Sequence, residues 1–493
     1  MDDFFDIIVV GPHLGGLLAA ALLVKRGKRA LLLAVPEQKE DDYWESDPHE
    51  RIFTNLAGTW FLNKALDELA ALPGRTRLMK PLAPSFQIIM PRRRVEIYSG
   101  DPDHLGHLAE EFNEDPKQVH RFFGTLNRVK ETMRHYFMLR SPHRQRGLKG
   151  LIRKNLRSLN IIPLHRSGRE RFMDLLHRYQ FSPLFRAVLN SQVMAFSRLY
   201  SSNPTLTSAA HCLSIIQEGG QVLGFERPSL VSVLKSFIVD RGGVIIPDAA
   251  IRRIHRTSTH VLAVHLEDKY RPYQCHHLLV NTDMRWFNEM LPEGMRDHEY
   301  SRRIQEIQAA GFHFRMHFHI RRSVVPVGMG ENVLFVADPE KPLLGDNFLS
   351  LALGPHDDPI ADPAGTRILT VTCRIPLAPD YLNTQRMARL EKQILERLKS
   401  LIPFIEQNLV HVSRSIIPPT NHGEAGRCPG HSWLFELAYT PMMGVSLLAN
   451  TTPYPNIFLT GDEVLPGMGA DGMVISGCSV ADMISARATR HVH

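Results

Sequence analysis

Two glycine clusters are the residues best placed to do chemistry. The first, Gly11-Pro-His13-Leu-Gly15-Gly16, directly follows the apolar run Ile7 to Val10. The second is Gly461-Asp462, with Pro466-Gly-Met-Gly-Ala-Asp-Gly472-Met473 just beyond, and it follows the apolar run Ile457 to Leu459. A glycine-rich turn between a strand and a helix leaves the first helical N–H groups free and lets backbone approach a ligand closely. Both clusters therefore read as cradles for phosphate or another polar chain.

The elements that must position the first cluster come in sequence within 36 residues. They are an apolar strand, the turn, an Ala/Leu-rich helix, Gly27, and a second apolar run from Ala30 to Val35. This is a βαβ unit of the dinucleotide-binding type. In that fingerprint the first glycine makes the turn, the second admits phosphate, and the third packs helix on strand. Here those positions hold Gly11, His13 and Gly16. The acidic position that ends the second strand falls on Ala34.

The chain has 493 residues, of which 43% are hydrophobic, which is enough for two domains of a folded protein. No apolar stretch approaches the ~18 residues needed to span a bilayer, and Met-Asp-Asp-Phe-Phe-Asp lacks the basic start of a signal peptide. These features predict a cytoplasmic protein. Its five cysteines lie far apart without C-x-x-C spacing, so neither disulfides nor zinc is expected.

Charge is unevenly spread. Between Thr132 and Arg169 there is no acidic residue. Within this window Leu148, Leu151, Ile152, Leu156 and Leu159 recur at helical spacing, with Lys149, Arg153, Lys154 and Arg157 largely off their stripe. Such a helix can lie on an anionic membrane surface, peripheral on its inner face, or be an ordinary surface helix packed on its own domain. No groove-reading module accompanies the charge, so nucleic acid is not expected.

Further along, Leu278 to Asp283 reads as a strand ending in a polar turn, which suits the rim of a ligand crevice. Gly311 to Arg322 alternates with period two. Phe312, Phe314, Met316, Phe318 and Ile320 fall on a dry face, and His313, Arg315, His317, His319 and Arg321 on the other, read here as wet. Two histidines without a nearby carboxylate or cysteine do not predict a metal. A helix is predicted from Thr384 to Leu401.

Taken together, these stretches resemble the FAD-dependent amine oxidase superfamily, nearest its phytoene desaturase and carotenoid isomerase branch. The resemblance rests on the βαβ unit, Gly242-Gly243 to Ile254, Val280-Asn-Thr-Asp283, and Gly461-Asp462 with Pro466-Gly-Met-Gly-Ala-Asp-Gly472. It implies an α/β fold: a Rossmann-like FAD-binding domain of the glutathione reductase type with an inserted α+β substrate domain. The FAD domain is expected over residues 1–75, 205–290 and 447–493, and the substrate or membrane-facing domain over 76–204 and 291–446. By resemblance the cofactor-binding residues are Gly11, His13, Gly15, Gly16, Ile251, Asn281, Gly461, Asp462, Gly472 and Met473. The substrate would be a lipophilic polyene or isoprenoid, and the basic stretch would dock on membrane.

Three departures from the family pattern are His13, Ala34 and the lack of a Gly-Gly-Arg after Ala34. They leave two functional readings open: an FAD-dependent oxidoreductase of desaturase or isomerase type, or a non-catalytic lipid-binding or partner protein that has lost FAD. No side-chain acid or base is assigned.

Overall fold

The computed structural model describes residues 3–34, 60–69, 79–81, 84–98, 103–139, 166–201, 203–214, 221–223, 230–256, 262–307, 309–354, 365–378, 381–414, 433–436, 444–461 and 463–488. Lys149, Arg153, Lys154, Arg157 and Asp462 lie outside the described residues.

The βαβ unit forms as read. Strand β1 (Phe4–Val10) leads through Gly11 into helix α1 (Leu14–Lys25) and strand β2 (Ala30–Leu33). Helix α1 is apolar all round because it is enclosed all round; Leu17 to Leu23 are essentially inaccessible. It ends in a Schellman motif. Gly27, at φ +79°, donates to the Val24 carbonyl and Lys28 to that of Leu23, a left-handed turn that glycine takes without penalty.

The chain continues through α2 (Trp60–Glu68), β3 (Met79–Pro81), β4 (Phe86–Met90), β5 (Arg93–Ile97), α3 (His104–Glu111), α4 (Pro116–Leu139), α5 (Phe172–Arg178), α6 (Pro183–Phe196) and α7 (Leu206–Leu213). Then come β6 (Gln221–Leu223), α8 (Leu230–Asp240), β7 (Val244–Ile246), β8 (Ile251–Arg256), β9 (Leu262–Leu266) and β10 (Tyr273–Val280). The last third holds α9 (Met284–Met290), α10 (His298–Glu306), β11 (Ala309–Arg321), β12 (Asn332–Val336), β13 (Phe348–Leu353), β14 (Thr366–Pro376), α11 (Thr384–Leu401), β15 (Leu409–Arg414), β16 (Trp433–Phe435), β17 (Ile457–Leu459) and α12 (Gly469–Ala488).

Two large sheets organise these elements. The first runs β7-β2-β1-β10-β9-β8, with β17 also on β10. Its β7, β2, β1, β10 and β17 are parallel, while β9 and β8 extend it antiparallel. Parallel strands covered on both faces must be apolar throughout, which explains the unbroken runs in β1, β2 and β17. Strand β10 shares one side between two neighbours: Tyr273 to Cys275 pair with β9, and Leu278 to Val280 with β17. The carboxyl ends of β1, β10 and β17 are thereby brought together.

The second sheet runs β15-β11-β14-β13-β12-β4-β5, with β16 on β11, and is antiparallel except where β12 meets β4. One face packs Phe314, Phe318, Leu369 and Val371 in a common core with Met387, Ile394 and Leu398 of α11. At β4, β5 and β12 the other face is covered by apolar residues of α3 to α7.

The histidine face of β11 corrects the sequence reading. His313, Arg315 and His317 are not wet: all three are more than nine-tenths buried. Period-two alternation separates the two faces of a strand but says nothing of what covers each. Here the polar face is covered by the segment after α6 and by the start of α12. Arg374, opposite His313 on β14, donates to the carbonyls of Met194 and Leu199, and Ala352 of β13 packs against Ala470.

Among the described residues no helix is long and apolar enough to cross a membrane, and no cluster of three or more metal-ligating side chains occurs. The described cysteines are free thiols; Cys212, Cys275 and Cys373 are buried.

Candidate functional site

The first glycine cluster is built around one side chain. Asn281, at the end of β10, is buried, and its Nδ2 donates to the His13 carbonyl at 2.8 Å and lies 3.4 Å from that of Gly11. The surrounding glycines are required by close approach. A Cβ on Gly11 (φ +102°) would stand 2.3 Å from the Asn281 carbonyl oxygen, and one on Gly16 2.6 Å from Asn281 Nδ2. A Cβ on Gly461 (φ +106°) would stand 2.8 Å from Asn281 Oδ1, and one on Gly15 2.6 Å from Thr460 Oγ1 and 3.1 Å from the Met473 carbonyl. Thus Gly11, His13, Gly15, Gly16, Asn281, Gly461 and Met473 converge from four elements. Gly472 stands beside Leu465, where a Cβ would come within 2.2 Å of the carbonyl oxygen.

This convergence leaves groups suited to a phosphate-bearing ligand. His13 occupies the N-cap of α1 without a side-chain cap hydrogen bond, and the first turn holds no acidic residue, so no side-chain cap competes for the N–H groups there. Asn281 Oδ1 is a buried acceptor without a hydrogen-bond partner among the described residues, at the place where Gly461 turns. His13 itself has φ −74° and ψ 163°, extended backbone open to any residue, and its side chain is half-buried. The loop, helix end and closing turn fit a pyrophosphate with neighbouring hydroxyls. Ala34 does not supply a ribose carboxylate; its N–H and carbonyl bond Ile246 and Ala249, at 2.9 and 2.7 Å. Ile251, buried at the head of β8, lies two residues past Ala249.

Two polar clusters flank this crevice. On one side Asp283 caps α9, accepting from Arg285 N and Trp286 N, and its Oδ2 stands 2.9 Å from Arg285 Nη2. Glu463 Oε2 accepts from Met284 N at 3.1 Å. Burial, reinforced by the nearby Asp283 charge, pushes the Glu463 carboxyl up to about 8, and Arg285 opposes this only partly.

On the other side, between the polar face of the second sheet and the closing loop, lie Arg198, Arg315, Arg374, His211, His313 and Asp471. Ser208 Oγ of α7 donates to the Gly467 carbonyl at 2.6 Å, and one turn later His211 Nε2 lies 2.9 Å from Asp471 Oδ2. Burial and the three guanidiniums hold His313 well below its usual range. The Arg374 guanidinium is lowered by burial to about 10 and stays charged at neutral pH. Neither cluster was identified from sequence. Asp283 and Glu463 are 180 positions apart, and nothing local in the chain signals their meeting.

No family model matches the sequence. The chain is 22% identical over 519 residues, 98% of its length and 83% of the relative's, to the chloroplastic prolycopene isomerase of Arabidopsis thaliana. It is 28% identical over 149 residues, 28% of this chain and 24% of the relative, to the inactive all-trans-retinol 13,14-reductase of Danio rerio. Among solved structures, putrescine oxidase bound to putrescine superposes with a TM-score of 0.60 at 12% identity, over 98% of this chain and 99% of that one. Cyclohexylamine oxidase from Brevibacterium oxydans gives 0.57 at 14%, over 99% of each. The fold is that of the FAD-dependent amine oxidase superfamily. The α/β fold class expected from the sequence is borne out. By name these relatives and neighbours are oxidases, an inactive reductase and an isomerase, proteins of a general oxidoreductase type.

Proposed function

We propose that this chain is an FAD-dependent oxidoreductase, of desaturase or isomerase type, acting on a lipophilic substrate of the polyene or isoprenoid class. The observation that carries the reading is the start of α1, free of any side-chain cap and enclosed by Gly11, Asn281 and Gly461, with Asn281 Oδ1 buried beside it. Bound there, FAD would supply the hydride-accepting ring. The chain's own residues do the holding. The α1 N–H groups and the Gly11 turn would take the pyrophosphate, and Gly461, Asp462 and Met473 would run along the rest of the dinucleotide. Asn281 would fix the loop by its amide bonds to the His13 and Gly11 carbonyls. The domain division proposed above follows the same reading, with residues 76–204 and 291–446 enclosing the substrate and the basic stretch around Lys149 to Arg157 meeting an anionic membrane surface.

The visible spectrum of the purified protein tests the assignment. A stoichiometric flavin band is expected; a colourless protein that takes up no added FAD overturns it. His13 and Ala34 favour a second reading, in which the fold holds a lipophilic molecule without cofactor, and the same spectrum decides between them.

A further inference from the structure

The ends of β10 and β17 that frame the proposed cofactor crevice are tied on both sides of it. Within the sheet, Thr460 N donates to the Val280 carbonyl at 3.0 Å. Beyond that rung the chains part around Asn281 and Gly461. They meet again where Met284 N, buried at the start of α9, donates to Glu463 Oε2 at 3.1 Å. Rung and side-chain tie thus bracket the turn in which Asn281 steadies the glycine loop.

Two carboxyl groups share the start of α9. Asp283 Oδ1 takes Arg285 N at 2.8 Å and Trp286 N at 3.2 Å, and its Oδ2 holds the Arg285 guanidinium at 2.9 Å. Arg285 also donates to the Ile307 carbonyl and feels the charge of Glu289. From α10, burial and then the Glu463 charge hold the Tyr300 phenol well above its usual range, with Tyr454 adding to the shift and Arg303 opposing it. A neutral acid at 463 accepts from Met284 N without needing a countercharge, whereas a carboxylate there meets the like charge of Asp283. Glu463 is only half-buried as a residue, so an ionised side chain has a way out to water. Taking it gives up the bond to Met284 N.

We propose that Glu463 is a positioning residue for the crevice, holding it closed as a neutral acid through Met284 N and letting it open on ionisation. This inference rests on the proposed function for the identity of the ligand, and it adds a proton-controlled release to that site. The closed form keeps its proton to about pH 8, while a solvated glutamate loses it near 4.5. The open form therefore gains on the closed one as pH rises toward 8, and gains no more above it.

Two measurements on the full-length protein test this, each expressed as the ratio of wild type to E463Q at the same pH. The first, without ligand, is amide hydrogen exchange in the segments around Met284 and Glu463. Its ratio is expected to rise roughly tenfold between about pH 6 and about pH 8 and then level off. The second is the rate of FAD release, followed by flavin fluorescence on dilution, and the same rise is expected. D283N keeps an acceptor for Arg285 N and Trp286 N but removes the like charge. It is expected to bring the levelling-off down by roughly one pH unit, a shift that a merely structural glutamate would not show. A constant exchange ratio, or an unmoved D283N profile, overturns the proposal; should E463Q not fold, D283N against wild type decides alone. A protein that takes up no FAD at any pH removes the proposed function, and exchange still decides the tie. FAD bound, with release equally pH-dependent in wild type and E463Q, leaves the function standing and removes this inference.

Discussion

Glu463 offers a test of the crevice that does not depend on any ligand. Its carboxyl is raised from 4.5 to about 8 by burial and by Asp283, so the folded protein keeps a proton there that the unfolded chain has lost. The sign follows. Below about pH 4.5 both states are protonated and the residue costs nothing; as pH rises to about 8 the unfolded state is increasingly favoured, and above that the loss is constant. The interval spans 3.5 pH units, which at about 1.4 kcal/mol per unit is about 5 kcal/mol as an upper bound. Part of the Glu463 residue meets solvent, so about half of this is the reasonable expectation. For a chain of this size that corresponds to roughly 5 °C in melting temperature. Glu463→Gln retains an acceptor for Met284 N but cannot ionise. Thermal melts of both proteins from about pH 5 to about pH 9 therefore diverge, the wild type falling further at the alkaline end by about that amount. Subtracting one profile from the other removes every other titrating group. Parallel profiles would refute the raised Glu463 carboxyl, and with it the buried setting given to this residue beside Asp283.

Two further perturbations address the cradle and the membrane proposal. Gly15→Ala puts a methyl 2.6 Å from Thr460 Oγ1, whose hydroxyl pairs with Ser476 Oγ at 2.8 Å. Overpacking of this kind costs about 1–3 kcal/mol, read as a lower melting temperature together with reduced flavin occupancy. Replacing Lys149, Arg153, Lys154 and Arg157 by glutamate is expected to abolish co-sedimentation with anionic vesicles while leaving neutral vesicles unaffected; unchanged co-sedimentation removes the docking role.

Local rules carried the sequence reading where the structure itself is local. The helix at Thr384–Leu401 was legible because its apolar positions keep helical period; the structure adds that Asn383 caps it, accepting from Arg386 N. The βαβ unit was legible because strand, turn and helix each have a composition of their own. What escaped was set by contacts distant in sequence. Ser208 and His211 sit one turn apart on an ordinary-looking helix, and only the fold brings them to Gly467 and Asp471. Arg374 reads as one polar residue in an alternating strand until α6 delivers its carbonyls. The wet face predicted for β11 failed for the same reason: the register gave the correct faces, and burial was decided by α12 and the segment after α6.

The arrangement of β10 between β1 on one side and β17 on the other has a consequence for biosynthesis. Asn281 and the glycine loop it steadies are 270 positions apart, and β17 joins only near residue 457. A ribosome therefore exposes β1 and the wholly greasy α1 long before either can be enclosed. Contacts of such sequence separation form slowly and leave apolar surface open in the meantime. Yield in a foreign host should accordingly respond to chaperone supply and growth temperature more than to single changes on the finished surface.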